Sequence, residues 1–198
     1  MTSEPLLLSA VILVSLTAIL NLMVSDWRYC VGALAAQYIG VFLLVYPSWP
    51  VEMAVAKMVA GWMAGAILGI AMVTSSSAWQ ESGKSPRFGP IFRFFAALII
   101  ALTVTSLVLH SDIWLSMIDV PIRWGSFILI SFGLLQLSFS THPLRIFIGL
   151  LTSLSGFEIL YAALEMSTLV TGLLAGITLG LALVGAYILI APTMERTP

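Results

Sequence analysis

Apolar stretches of about 18 or more residues follow one another along almost the whole chain, parted by short polar breaks. A helix needs ~20 such residues to cross a bilayer, and in hydrocarbon its backbone N–H and C=O groups must be satisfied within the segment itself. The expected fold is therefore an all-α integral membrane protein. Composition agrees: the chain is 60% hydrophobic and only 9% charged, where soluble domains carry ~25% charged residues. Seven transmembrane helices are expected, over 5–24, 29–46, 51–73, 91–110, 122–139, 144–164 and 168–190. "SDWR", "YPSWP" and "STHPLR" supply short breaks, and "TSSSAWQESGKSPRFGP" is the one long linker. The start lacks a basic region and carries Glu4, so the first span is expected to be retained.

Alternate loops of a seven-span chain lie on opposite sides. Arg28, Lys84, Arg87, Arg93, Arg145 and Arg196 fall on one side, and Arg123 with Lys57 on the other. The excess of basic residues makes the first side cytoplasmic, with the N-terminus outside and the C-terminus in the cytoplasm. Trp27, Trp49, Trp79, Trp114 and Trp124 fall at or just beyond span ends, where an aromatic belt is expected.

The chain repeats itself. "MVAGWMAGAILGIAMV" (58–73) and "LVTGLLAGITLGLALV" (169–184) agree at eight of sixteen positions without a gap. Gly61, Gly65 and Gly69 in the first match Gly172, Gly176 and Gly180 in the second, a small-residue stripe expected to serve close helix packing. "ILVSL" (12–16) resembles "ILISF" (128–132), Arg28 with Gly32 resembles Arg145 with Gly149, and "GVFLLV" (40–45) resembles "GFEILY" (156–161). Two three-helix units follow, over 1–74 and 121–198, with linker and connector helix between them over 75–120. The connector restores the starting side, so the repeats are expected to run parallel.

Arg145 in a turn, "SGFEILYAAL" (155–164) on the next helix and "LLAGITLGLALV" (173–184) on the one after carry a family resemblance. This unit resembles the small K subunit of respiratory complex I, its relatives in Mrp-type cation/proton antiporters and the E subunit of hydrogenase-4-type complexes. The longer chain, with an additional N-terminal set of helices, is most similar to the last. The resemblance implies cytoplasmic turns at Arg28 and Arg145, an intramembrane carboxylate at Glu158, and large antiporter-like membrane subunits as partners. The K subunit carries a second carboxylate on its third helix; Gly176 stands there in this chain, with Gly65 at the duplicate position. Phe42 replaces the second-helix carboxylate in the first unit.

Glu158 lies thirteen residues past Arg145, about 20 Å along a helix and near or just beyond mid-membrane. Desolvation there disfavours its charged form, so Glu158 is a candidate for a proton or cation path; the alternative is a neutral acid that locks helix packing. Lys57 sits about two turns inside the third span, where its stem is expected to snorkel to the outer interface. A salt bridge to an acid on a partner subunit is its functional alternative, and it enters the path set only as a minor member. No basic residue of the chain is placed at the depth of Glu158 on the cytoplasmic half. Glu52 and Glu165 fall at outer span ends, and Asn21, Gln37 and Gln136 are candidates for interhelical hydrogen bonds.

No cofactor motif is present, Cys30 is the one cysteine, and His110 and His142 have no metal-ligand spacing around them. A net charge of −1 offers nothing to nucleic acid. The function expected is that of an integral subunit of a redox-driven or antiporter-related ion-translocating complex in a bacterial-type plasma membrane, any redox chemistry belonging to partners. A stand-alone small-solute transporter built from two repeats and a non-transporting scaffold or assembly subunit are the alternatives.

Overall fold

A computed structural model describes residues 3–24, 26–80, 89–111 and 115–194. They form α1 (Ser3–Met23), α2 (Trp27–Val45), α3 (Val51–Gln80), α4 (Pro90–His110), α5 (Val120–Phe139), α6 (Pro143–Leu164) and α7 (Thr168–Met194). Each contains a window long and apolar enough to cross a membrane. The protein is an all-α integral membrane protein, and its helices fall on the expected spans. The clearest difference is α3, which runs on through Gln80 into the first part of the expected linker. Lys84, Arg87, Trp114 and Arg196, as well as the side chain of Trp79, lie outside the described residues.

Local chemistry sets the helix starts. Pro residues occupy the first positions of α4, α5 and α6, where a missing N–H costs no intrahelical bond. The Asp26 side chain accepts from the Arg28 N–H at 3.0 Å to cap α2. His142 does the same for α6, its Nδ1 accepting from the Leu144 N–H at 3.2 Å. Burial, and secondarily the nearby Arg145, hold this imidazole below its ordinary pKa, which favours the neutral ring that a cap acceptor requires.

The packing has a centre and two flanks. α1 pairs with α2 and α5 with α6, and these two pairs meet through α1 against α5 and α2 against α6. α3 and α7 lie against each other on the flank of α2 and α6, and α4 covers α5 on the other side. One apolar cluster joins α1, α2, α4, α5 and α6; a second, including Tyr38, Leu34, Leu68, Ile148 and Leu151, fills the space between α2, α3, α6 and α7.

Close approach within the two central pairs depends on glycines in matching places. A Cβ on Gly40 would stand 2.6 Å from Val14 Cγ1 and 3.4 Å from the Ala10 carbonyl oxygen. A Cβ on Gly156 would stand 2.7 Å from both the Ile130 nitrogen and the Ser126 carbonyl oxygen. Gly61 likewise receives the ring of Tyr38.

The expected small-residue stripe needs correction. Gly61 packs tightly and Gly69 makes ordinary contact with Val31, but a Cβ at Gly65, Gly172, Gly176 or Gly180 meets nothing within 4 Å. Gly172 and Gly176 are exposed. Helix 7 turns this face away from its own bundle, because it uses Leu174, Thr178, Ala182 and Leu189 to pack inward.

Gly156→Ala should therefore be destabilising by about 1–3 kcal/mol through overpacking. Gly176→Ala should leave thermal unfolding of the purified chain unchanged or slightly raised, since alanine is the better helix former by about 1 kcal/mol. Equal losses of melting temperature in the two variants would contradict the packing described.

Candidate functional site

Two buried charges meet inside the bundle. Lys57 of α3 and Glu158 of α6 form a salt bridge through Nζ and Oε2, and the two residues are only 3% and 1% exposed. Lys57 is six residues from the start of α3 and Glu158 six from the end of α6. Each is thus about 9 Å along its helix from the same membrane face. Lys57 does not snorkel to the interface, and its acid is in the same chain. Both expectations for it are overturned, because α3 is packed beside α2 and α7 and its stem points into the protein.

Two further helices complete the site. Lys57 Nζ donates to Thr178 Oγ1 of α7 at 3.1 Å, and the Thr178 hydroxyl donates its own hydrogen bond to the Leu174 carbonyl at 3.0 Å. The hydroxyl's lone pairs are thereby free for the ammonium. Lys57 Nζ also lies 5.4 Å from the centre of the Tyr38 ring of α2, within cation–π range. The Tyr38 hydroxyl is buried with no hydrogen-bond partner among the described residues. Oε1 of Glu158 has no hydrogen-bond donor among the described residues.

Polar groups continue from the pair toward mid-membrane. Ser155 and Thr152 follow Glu158 on one face of α6, and Thr152 exchanges hydrogen bonds with Gln37 of α2, the shorter at 3.3 Å. Beyond them Leu34, Ile148 and Leu144 are fully buried and apolar. The expected interhelical bond of Gln37 is thus present, as is that of Gln136, which donates to the Arg145 carbonyl at 3.0 Å. Asn21 differs: its side chain is buried without a hydrogen-bond partner among the described residues.

The two turn arginines have different surroundings. Arg145 is drawn inward, its Nη2 donating to the carbonyls of Asn21, Leu22 and Val24 at 3.2, 3.2 and 2.6 Å. Arg93 Nη1 adds a contact to Leu22 O at 3.5 Å. These carbonyls are the unsatisfied C-terminal end of α1, where the helix dipole favours a cation. Arg28 is exposed, over its neighbour Trp27. On the opposite face Trp49 is buried instead of belonging to an aromatic belt, and its Nε1 donates to Glu165 O at 3.2 Å. That bond ties the α2–α3 turn to the α6–α7 turn.

Thr178, Tyr38, Ser155 and Thr152 were not singled out by sequence reasoning, since hydroxyls in apolar spans are common and usually bond their own helix. No group of three or more metal-ligating residues occurs among the described residues. Compared with protein-family models, curated proteins and solved structures, the chain matches none.

A buried pair is costly to break but not necessarily to replace. Removing one partner costs about 3–5 kcal/mol, whereas an apolar pair of similar volume is often neutral or stabilising. Lys57→Met and Glu158→Leu should each lower the unfolding temperature in detergent sharply, and the double variant should recover most of the loss. Additive losses would mean that the two side chains do not interact.

Proposed function

We propose that the chain is an integral subunit of a multi-subunit, antiporter-related ion-translocating membrane complex of the complex I, Mrp or hydrogenase-4 kind. Its own contribution is a segment of a proton or cation path centred on Glu158, together with packing surface for larger antiporter-like subunits. The observation that carries this reading is the Lys57–Glu158 pair, two charges kept at membrane depth despite a desolvation cost of several kcal/mol per ion. Intramembrane ionisable residues facing a bundle interior are by default candidates for ion or proton pathways.

The parallel duplication belongs to the same proposal. Ala10, Val14 and Gly40 recur as Ser126, Ile130 and Gly156 at one constant offset, and the first glycine meets its two partners as the second meets its own. α1 lies against α5, α2 against α6 and α3 against α7, the contacts expected of two units about an axis along the membrane normal. The assigned orientation places the N-terminus outside and the C-terminus in the cytoplasm of a bacterial-type plasma membrane; Arg28, Arg93 and Arg145 favour it by lying toward one face. A partner surface is supported by the outward small-residue face of α7 and by an open apolar groove lined by Val55, Val59 and Met63 of α3 with Leu179 of α7.

Glu158→Gln preserves size and leaves an amide oxygen for Lys57 while removing the titrating proton. In the intact complex reconstituted in vesicles, this variant should still assemble, Lys57 keeping an amide oxygen as its partner, and lose about a hundredfold or more in ion translocation, the lower end of what a proton-transfer group contributes. Normal translocation would reduce the chain to a brace beside a path carried by others. A tagged wild-type chain extracted in mild detergent should copurify with a large many-span subunit. Recovery as a lone monomer that transports a solute would favour the stand-alone transporter.

A further inference from the structure

We infer that Lys57 sets the ion selectivity of the Glu158 site: its ammonium is a tethered occupant of the position a metal cation would take, so the site exchanges protons and excludes alkali ions. The inference rests on Glu158 belonging to an ion path, as proposed above.

A buried carboxylate that binds Na+ or K+ needs a coordination shell of oxygens open to the ion. Here the carboxylate is met by Lys57 Nζ at Oε2, and both residues are almost wholly enclosed. Among the described residues the charged group facing Glu158 is Lys57 from α3, with the Tyr38 ring of α2 against its ammonium. An incoming alkali ion would have to share this space with a fixed positive charge, and like charges a few ångströms apart in a poorly screened interior repel strongly. A proton has no such conflict. It adds to the carboxylate as a covalent O–H, the carboxyl becomes neutral, and Lys57 keeps its own three protons.

The second partner set of Lys57 makes this exchange possible without expelling the lysine. Thr178 Oγ1 accepts from Nζ at 3.1 Å, its proton already committed to Leu174 O. The Tyr38 ring faces the ammonium at 5.4 Å. Neither contact depends on the charge of Glu158, so both persist when the acid is protonated. Thr178 and Tyr38 thus hold Lys57 in place through the protonated state, and its return to Glu158 on deprotonation restores the pair.

The decisive comparison is the melting temperature of the full-length chain in detergent, at one pH and ionic strength, in sodium, potassium, methylammonium or choline chloride. Wild type should melt within about 1 °C across the four salts, choline being too large for the site. Lys57→Met leaves a carboxylate with its cation position vacant, and should melt several degrees higher in sodium or methylammonium than in choline. Lys57→Met/Glu158→Gln should lose that dependence. Selective stabilisation of wild type by sodium over choline would overturn the inference, as would a folded Lys57→Met variant indifferent to the salt. If Lys57→Met does not fold, Lys57→Gln takes its place, and the wild-type series is decisive alone. These readouts need no transport. Sodium-stabilised wild type together with a translocation-dead Glu158→Gln would overturn the selectivity role and leave the ion-path reading intact; normal translocation by Glu158→Gln would remove that reading whatever the salts do.

Discussion

One ion pair in a dry interior constrains the rest of this bundle. Lys57 and Glu158 stand more than a hundred residues apart in sequence, on α3 and α6. Their pairing is favourable only if both side chains are kept from lipid and aligned in depth. α2 supplies an aromatic face, α7 supplies a hydroxyl, and the apolar cluster of Leu34, Leu68, Ile148 and Leu151 seals the region deeper in the membrane. Each of these four helices therefore has a reason to sit where it does. Losing one charge leaves the other stranded, which is why the pair fixes the relative positions of α3 and α6 more strictly than apolar packing would.

The architecture was legible in the sequence because bilayer physics leaves few options for such a chain. Spans and breaks follow from the length of apolar runs, and the structure departs mainly at helix ends, as in α3. The site was only half legible. Glu158 stands out as an acid in an apolar run, but Lys57 looks like a snorkelling residue because its distance to the interface is short enough for a lysine stem. The missed signal was depth. About 9 Å from the start of one helix and about 9 Å from the end of another describe the same level once the topology is known. Two opposite charges at one level in one chain are better explained as partners than as separate exceptions.

The glycines show a different limit. Sequence identity between 58–73 and 169–184 marked a shared stripe, yet only Gly61 is tightly packed within the bundle, while Gly172 and Gly176 face outward. A small-residue stripe reports that close approach is allowed, not which helix approaches. The glycines that bring the central helices together, Gly40 and Gly156, lay in a shorter and less conspicuous match. Similarly, Arg28 and Arg145 look equivalent by position, but only Arg145 reaches the α1 carbonyls. Positions that match in sequence can serve a contact at one place and meet open space at the other.

The pairing of Lys57 with Glu158 is tested most directly by reversing it. Lys57→Glu alone places two acids together, and Glu158→Lys alone places two cations together, so each should give little folded protein or a strongly lowered melting temperature. The double exchange restores opposite charges at the same depth and should recover folded yield and most of the wild-type melting temperature. A double exchange no better than the worse single variant would contradict the pairing and the arrangement of helices built around it.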